Sequence, residues 1–336
     1  MRQCLDSITG QTLEEIQIVL VNDGSSDSSG DICEHYAKND DRVIYIQKSN
    51  GGLASARDAG LNNASGEYVG FVDADDWVEL NMFEKMYSVA MNYSADIVLC
   101  DSVFNGKINR SAHLPTGFYD KRRIQAEIFP HTLASFSSDK KNERIRWSNC
   151  VRLYRKELID QNNIEFDNRF RRCQDLPFTF ECTIHASSIY YLGDEYLYHN
   201  RPVFDSLSKG YTRQMWELLK PLMQYLDVIV KGYSCYDFSA QMSLRSFMFT
   251  VNCIENEAKP NNKRGAFERL RTIREIMQDD YVRDVMSNLD TSSISRLYRA
   301  YSFALKHRLS IPAYLVAHYR LRNLRRRYKA TTLTSN

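Results

Sequence analysis

Gly66-Glu-Tyr-Val-Gly-Phe-Val-Asp-Ala-Asp-Asp-Trp77 sets an apolar run, Tyr68 to Val72, directly against an acidic turn, Asp73-Ala74-Asp75-Asp76. The run reads as a buried strand over 68–72 that opens after Gly66. Asp73 and Asp75 stand one residue apart at a strand end, where their charges repel and a cation relieves the repulsion. With neither Cys nor His beside them, these hard oxygen ligands point to Mg2+ or Mn2+ rather than zinc. The bare pattern also describes a solvated turn capping the next helix. A strand-end aspartate can equally accept from a ribose hydroxyl or a base N–H, which makes Asp23 and Asp73 candidate readers of a nucleoside.

Outward from this stretch, strand-like and helix-like segments alternate. Ile16 to Val21 is a β-branched run that ends in Asn22-Asp23-Gly24-Ser25-Ser26-Asp27, and Val43 to Ile46 is a second such run. Asn50-Gly51-Gly52 opens a helix with Leu53, Ala56, Gly60 and Leu61 on one side, and Arg57 lies in its first turns. A helix N-terminus with a glycine pair and an arginine can receive a phosphate, although a tight turn with a surface arginine has the same sequence. After Trp77 the positions Met82, Phe83, Met86, Ala90 and Met91 trace an amphipathic helix, and Ile97 to Cys100 reads as a strand. Repeated β-α-β-α predicts an α/β fold with a mostly parallel, Rossmann-like sheet flanked by helices. In such sheets ligands bind beyond the carboxyl ends of the strands, where 22–27 and 73–76 would meet.

The rest of the chain divides by character. Residues 106–210 mix short apolar runs with polar turns, and 211–330 carry long helix-period stretches with few glycines, read as a helical accessory region. The 336 residues are 43% hydrophobic and 26% charged, which excludes collagen-like, disulfide-scaffold and wholly disordered chains. Lys+Arg of 44 against Asp+Glu of 42 gives a net +2, too balanced to call for a nucleic-acid partner. Eight cysteines without a C-x-x-C pair read as reduced, buried thiols. No apolar run is long enough to cross a membrane, so the expected location is cytoplasmic, at most peripheral at the inner face of the plasma membrane.

NDGSSD at 22–27, NGGLASARDAG at 50–60 and GEYVGFVDADDW at 66–77 together resemble family 2 glycosyltransferases of the GT-A fold, in order and in spacing. The resemblance implies that 1–105 is the nucleotide-sugar half and 106–210 the acceptor half. It places Asp23, with Ser25, toward the base and Asn50, Gly51, Gly52 and Arg57 on the nucleotide. Asp73 and Ala74 fall at the ribose or the metal, and Asp75 falls on the metal. Trp147 to Lys156, Ile164-Glu-Phe166 and Cys173-Gln-Asp-Leu-Pro-Phe178 resemble the acceptor half, in which a Glu-Asp pair followed by x-x-Phe supplies the base. Here Gln174 replaces the glutamate and Asp175 remains, as base or alternatively as a helix N-cap. Tyr196-Leu-Tyr-His-Asn-Arg-Pro202, with Ser206 and Ser208, is similar to the segment near the diphosphate, which gives His199 and Arg201 to the departing nucleotide.

The activity so implied is an inverting transfer from a nucleotide-diphosphate sugar, a UDP-sugar favoured, to a hydroxyl of a glycan or lipid-linked glycan acceptor in surface or capsular polysaccharide synthesis, with Mn2+ or Mg2+. A catalytically weak nucleotide-binding or scaffold protein is the rival reading; a nucleotidyltransferase fits the Gln-Asp-Leu-Pro-Phe segment poorly. Members of the family usually open with a buried strand of the form V-S-I-I-V-P-x-Y-N. This chain opens on Met1 to Ile8, the helix that would follow it. The expectation is a chain shortened at its N-terminus, with unpaired edges on the strands at 16–21 and 68–72. Leu315 to Lys329 reads as a basic amphipathic helix that lies on an anionic membrane surface or stays a solvated terminal helix.

Overall fold

The computed structural model describes residues 1–134, 145–201, 210–292 and 294–333. The chain forms two compact units, one from Met1–Thr132 with Lys141–Pro202 and the other from Leu133–Lys140 with Val203–Asn336.

In the first unit, strand β1 (Ile18–Asn22) and strand β2 (Val43–Gln47) pair in parallel from Ile18↔Val43 to Asn22↔Gln47, joined through the Ser29–Asn39 helix. A second, seven-stranded sheet contains β3 (Tyr68–Gly70), β4 (Trp77–Val78), β5 (Ile97–Phe104), β6 (Lys107–Asn109), β7 (Gly117–Asp120), β8 (Arg152–Arg155) and β9 (Ser188–Asn200). Its central order is β3-β8-β5-β9-β4, with β6 on β5 and β7 on β9.

The expected predominance of parallel pairing is corrected here: only β1–β2 and β5–β9 are parallel, and the other described pairs are antiparallel. The reason is long-range. β8 inserts between β3 and β5, and β9 takes the other side of β5, so neighbours in the sheet are not neighbours in the chain. Alternation along the sequence shows that strands exist but not which strand lies beside which.

The core forms where helix Met82–Tyr93 lies on this sheet. Met82, Met86 and Ala90 have no exposed surface and pack with Val98, Cys100 and Tyr198. A fully buried side chain of methionine or valine size contributes roughly 1.5–3 kcal/mol. Gly70 permits the approach, since a Cβ there would lie 2.7 Å from Cε1 of Phe83.

Among the described strands, β1 pairs only with β2 and β3 only with β8, so each has an edge without a strand partner, as the sequence predicts. A cavity of about 800 Å3 is lined by both strands together with Leu5, Ile8, Leu61 and Phe83.

The second unit is helical: Met215–Gly232, Ser239–Glu257, Ala266–Gln278, Asp280–Asn288, Arg296–Lys306 and Ser310–Leu333. Its interior includes Leu222, Met223, Leu226, Phe247, Val251 and Ile273. Among the described residues, no helix is long and apolar enough to cross a membrane.

Candidate active site

The Leu53–Asn62 helix ties the site together. Its cap, Gly52, has φ +88°, a backbone that glycine adopts without strain. Immediately before it, the Asp23 carboxylate accepts from Gly51 N at 2.9 Å, Gly52 N at 2.6 Å and Lys48 Nζ at 2.8 Å. Burial pushes the Asp23 carboxyl up, but the Lys48 ammonium and the two amides outweigh it and hold the group below the usual carboxylate range. The amides that the sequence offers to a phosphate are therefore already filled by Asp23. Gly24, at φ +72°, packs on the same loop: a Cβ there would lie 2.8 Å from Asn50 N. Ser25 is exposed, and its amide donates to Asn22 Oδ1 at 2.9 Å.

Five residues into that helix, about 7.5 Å along its axis, Arg57 turns inward and is 8% exposed. One guanidinium nitrogen donates to Asp73 Oδ1 at 2.9 Å, the other to Asp175 Oδ1, and the group lies over the Phe166 ring at 5.7 Å. Burial opposes the Arg57 charge, yet Asp175 and Asp73 outweigh burial and hold the proton more firmly. Asp175 is the first residue of the Asp175–His185 helix, and its side chain is 27% exposed. Burial pushes its carboxyl above the usual range, Arg57 pulls the other way, and Asp73 adds to the rise. Asp23, Asp73 and Asp175, from three separate stretches, are thus joined through one helix and its loop.

The acidic loop has a buried end and an open end. Asp76 is 6% exposed and accepts from Tyr198 Oη at 2.7 Å, Asn200 Nδ2 at 3.0 Å and Arg201 N at 2.7 Å. Burial raises its carboxyl, and these three donors act against that rise. Tyr198 Oη also accepts from Asp73 N at 3.2 Å, so one phenol braces both ends of the loop. Ala74 and Asp75 are exposed at its tip. His199 stacks on Trp77 with ring centroids 5.0 Å apart, and its Nε2 lies 2.6 Å from Glu79 Oε1. The Arg201 guanidinium donates to Gln3 Oε1 at 2.7 Å. Ser206 and Ser208 lie outside the described residues.

A metal reading can be tested on the donor set. Among the described residues, no group of three or more His, Cys, Asp or Glu side chains converges as a protein-only metal cage. Mg2+ is commonly held by one or two carboxylates while substrate phosphates and water complete its shell. Asp75, exposed, and Asp73, with 40% of its side chain exposed, fit that second arrangement.

Several contributors escape sequence reading. Lys48 carries no motif, and only the fold brings it onto Asp23. In sequence Asp76 is one more carboxylate of the acidic turn, and only the fold brings Tyr198 and Asn200 onto it from β9. Arg152 is 1% exposed, its guanidinium bonded to the carbonyls of Ser148 and Arg146. Nothing in its sequence neighbourhood marks it as buried.

The family model "Glycosyl transferase family 2" matches residues 1–161. The uncharacterized glycosyltransferase EpsJ of Bacillus subtilis (strain 168) is 36% identical over 203 residues, 60% of this chain and 58% of EpsJ. The chain therefore spans less than two thirds of that relative. The putative glycosyltransferase EpsH of the same organism is 29% identical over 301 residues, 87% of this chain and 83% of EpsH. Among solved structures, S. aureus TarS 1-349 in complex with UDP-GlcNAc superposes with a TM-score of 0.67 at 19% identity, covering 95% of this chain and 87% of that one. That likeness shows the GT-A fold. Residues 1–161, just under half of the chain, are thus similar to glycosyl transferase family 2.

Proposed function

We propose that this protein is an inverting glycosyltransferase that moves a sugar from a nucleotide-diphosphate sugar, a UDP-sugar by preference, to a hydroxyl of a glycan or lipid-linked glycan in surface polysaccharide assembly. The observation that supports it most is the convergence of Asp73 and Asp175 on Arg57, with Asp23 anchored at the start of the same helix.

In this reading Asp175 accepts the proton of the acceptor hydroxyl. The hydroxyl oxygen forms the new bond to the anomeric carbon from one face. The bond to the diphosphate oxygen breaks on the other, and its electron pair leaves with the nucleoside diphosphate. A positioned carboxylate base typically contributes about 10² to 10⁴ in rate. Asp75 and Asp73 would hold a divalent cation, Mn2+ or Mg2+, which supplies positive charge to the diphosphate. Arg57 keeps Asp73 and Asp175 oriented toward one cleft. Asp23, with Ser25, faces the base, and Asn50, Gly51 and Gly52 shape the nucleotide wall. His199 and Arg201 reach the diphosphate only by exchanging their contacts with Glu79 and Gln3.

The test is nucleotide release from a panel of UDP-, GDP- and dTDP-sugars, with Mn2+ or a chelator, against glycan and lipid-linked acceptors. Release that depends on both donor and acceptor supports the assignment. A second reading, a nucleotide-binding protein of little or no turnover, is favoured by two observations: the base carboxylate is engaged by Arg57, and β1 and β3 keep unpaired edges. Nucleotide binding by calorimetry, with no release from any donor, would favour it.

A further inference from the structure

We propose that the two C-terminal helices, Arg296–Lys306 and Ser310–Leu333, form a docking surface for an anionic lipid bilayer. This inference goes beyond the transfer reading and does not depend on it.

Charge comes first. Residues 291–336 contain ten Lys and Arg and no Asp or Glu, so a chain of net +2 carries +10 in this segment and −8 elsewhere. Part of that charge is used internally. Arg320 Nη1 donates to Glu255 Oε1 at 2.7 Å, and Arg299 donates to the carbonyls of Ile294 and Ser292. Lys306, Arg308 and Arg322 are exposed, and the sequence continues with Arg325, Arg326, Arg327 and Lys329.

Apolar exposure comes second. The Ser310–Leu333 helix turns Ala313 and Ala317 inward, both at 0% exposure, and Arg320 holds the same side to Glu255. Ile311, Leu315 and Tyr319 recur every four residues on the opposite side and are 57%, 62% and 64% exposed. At about 100° per residue the three fall within one stripe roughly 80° wide, and Arg322 falls inside it. Phe303, on the preceding helix, is 58% exposed.

A nucleic acid would use the cations but has no use for three exposed aliphatic and aromatic side chains in line. A bilayer uses both, taking the apolar stripe at the level of the acyl boundary while arginines and lysines stay with the headgroups. Each Lys or Arg near an anionic leaflet is worth about fivefold in partitioning.

The experiment is co-sedimentation of the full chain with vesicles of phosphatidylglycerol mixed with phosphatidylcholine, beside vesicles of phosphatidylcholine alone. Binding to the anionic vesicles that weakens with salt is expected. Ile311→Asp with Leu315→Asp should reduce it at least tenfold, and Arg325→Gln with Arg326→Gln and Arg327→Gln roughly a hundredfold. Ile311 and Leu315 are exposed, and an unchanged thermal melt of both variants checks that the fold persists. Equal binding to both vesicle types, or binding indifferent to both variants, overturns the proposal. So does capture by duplex RNA without any vesicle binding.

Discussion

Arg57 and Asp175, 118 residues apart in the sequence, meet as an ion pair in the cleft while the second arm of the same guanidinium holds Asp73. One buried cation therefore couples the loop proposed to carry the donor to the carboxylate proposed to activate the acceptor. Two carboxylates that would otherwise repel are held in fixed orientation, and removing Arg57 leaves both partly buried charges without their partner.

Asp175→Asn keeps the size of the side chain and its place at the head of its helix but removes the proton acceptor. Transfer should fall by about 10² to 10⁴, and nucleotide affinity by calorimetry should change little. Full transfer activity in this variant removes Asp175 from the role of base.

The acidic limb of the pH–rate profile follows from the same environment. Burial sets the Asp175 carboxyl above its ordinary value of about 3.9, so the base fills with a proton, and transfer is lost, as pH falls through a point above that value. Arg57 pulls in the opposite direction. Arg57→Gln should therefore move the limb to still higher pH, in addition to lowering the maximal rate. A limb that stays in place or moves down in kcat/KM would show that another group titrates.

Asp75→Ala removes an exposed carboxylate with no hydrogen-bond or ion-pair partner among the described residues, so the melting temperature should hold. Titration of UDP in the presence of Mn2+ should then show weaker binding than in the unsubstituted protein, and the difference should vanish in chelator. Equal Mn2+ dependence in both proteins would place the cation elsewhere.

What could be read from the sequence was local. The turn at 22–27, the glycine loop at 50–52 and the acidic turn at 73–76 each announce themselves, because a β-branched run followed by Asn, Asp and Gly has few other structures. The helix at 82–93 is legible for the same reason, through Met82, Met86 and Ala90. Partnership was not legible. That β8 lies between β3 and β5, that Lys48 turns back to Asp23, and that Tyr198 reaches Asp76 across 122 residues all depend on long-range pairing, which leaves no periodic trace. Asp76 is the instructive case. From its neighbours it is one more carboxylate of an acidic turn; in the fold it is a buried brace with three donors.

Tyr198→Phe tests that brace. The substitution keeps the buried ring and deletes only the hydroxyl that donates to Asp76 and accepts from Asp73 N, so a loss of about 1–3 kcal/mol is expected at neutral pH. The sign of its pH dependence can be worked out. Burial raises the Asp76 carboxyl in the folded state, so the folded protein binds more protons than the unfolded chain between the ordinary value and the raised one, and stability falls as pH rises through that window. The Tyr198 hydroxyl limits this rise by stabilising the charged form. Without it the raised value moves up and the window widens, so the variant should lose more stability at pH 7 than at pH 4, where Asp76 tends toward the neutral acid in both proteins. Urea unfolding of the two proteins at both pH values measures the difference, and an equal loss at each would mean that Tyr198 contributes through packing and not through the Asp76 charge.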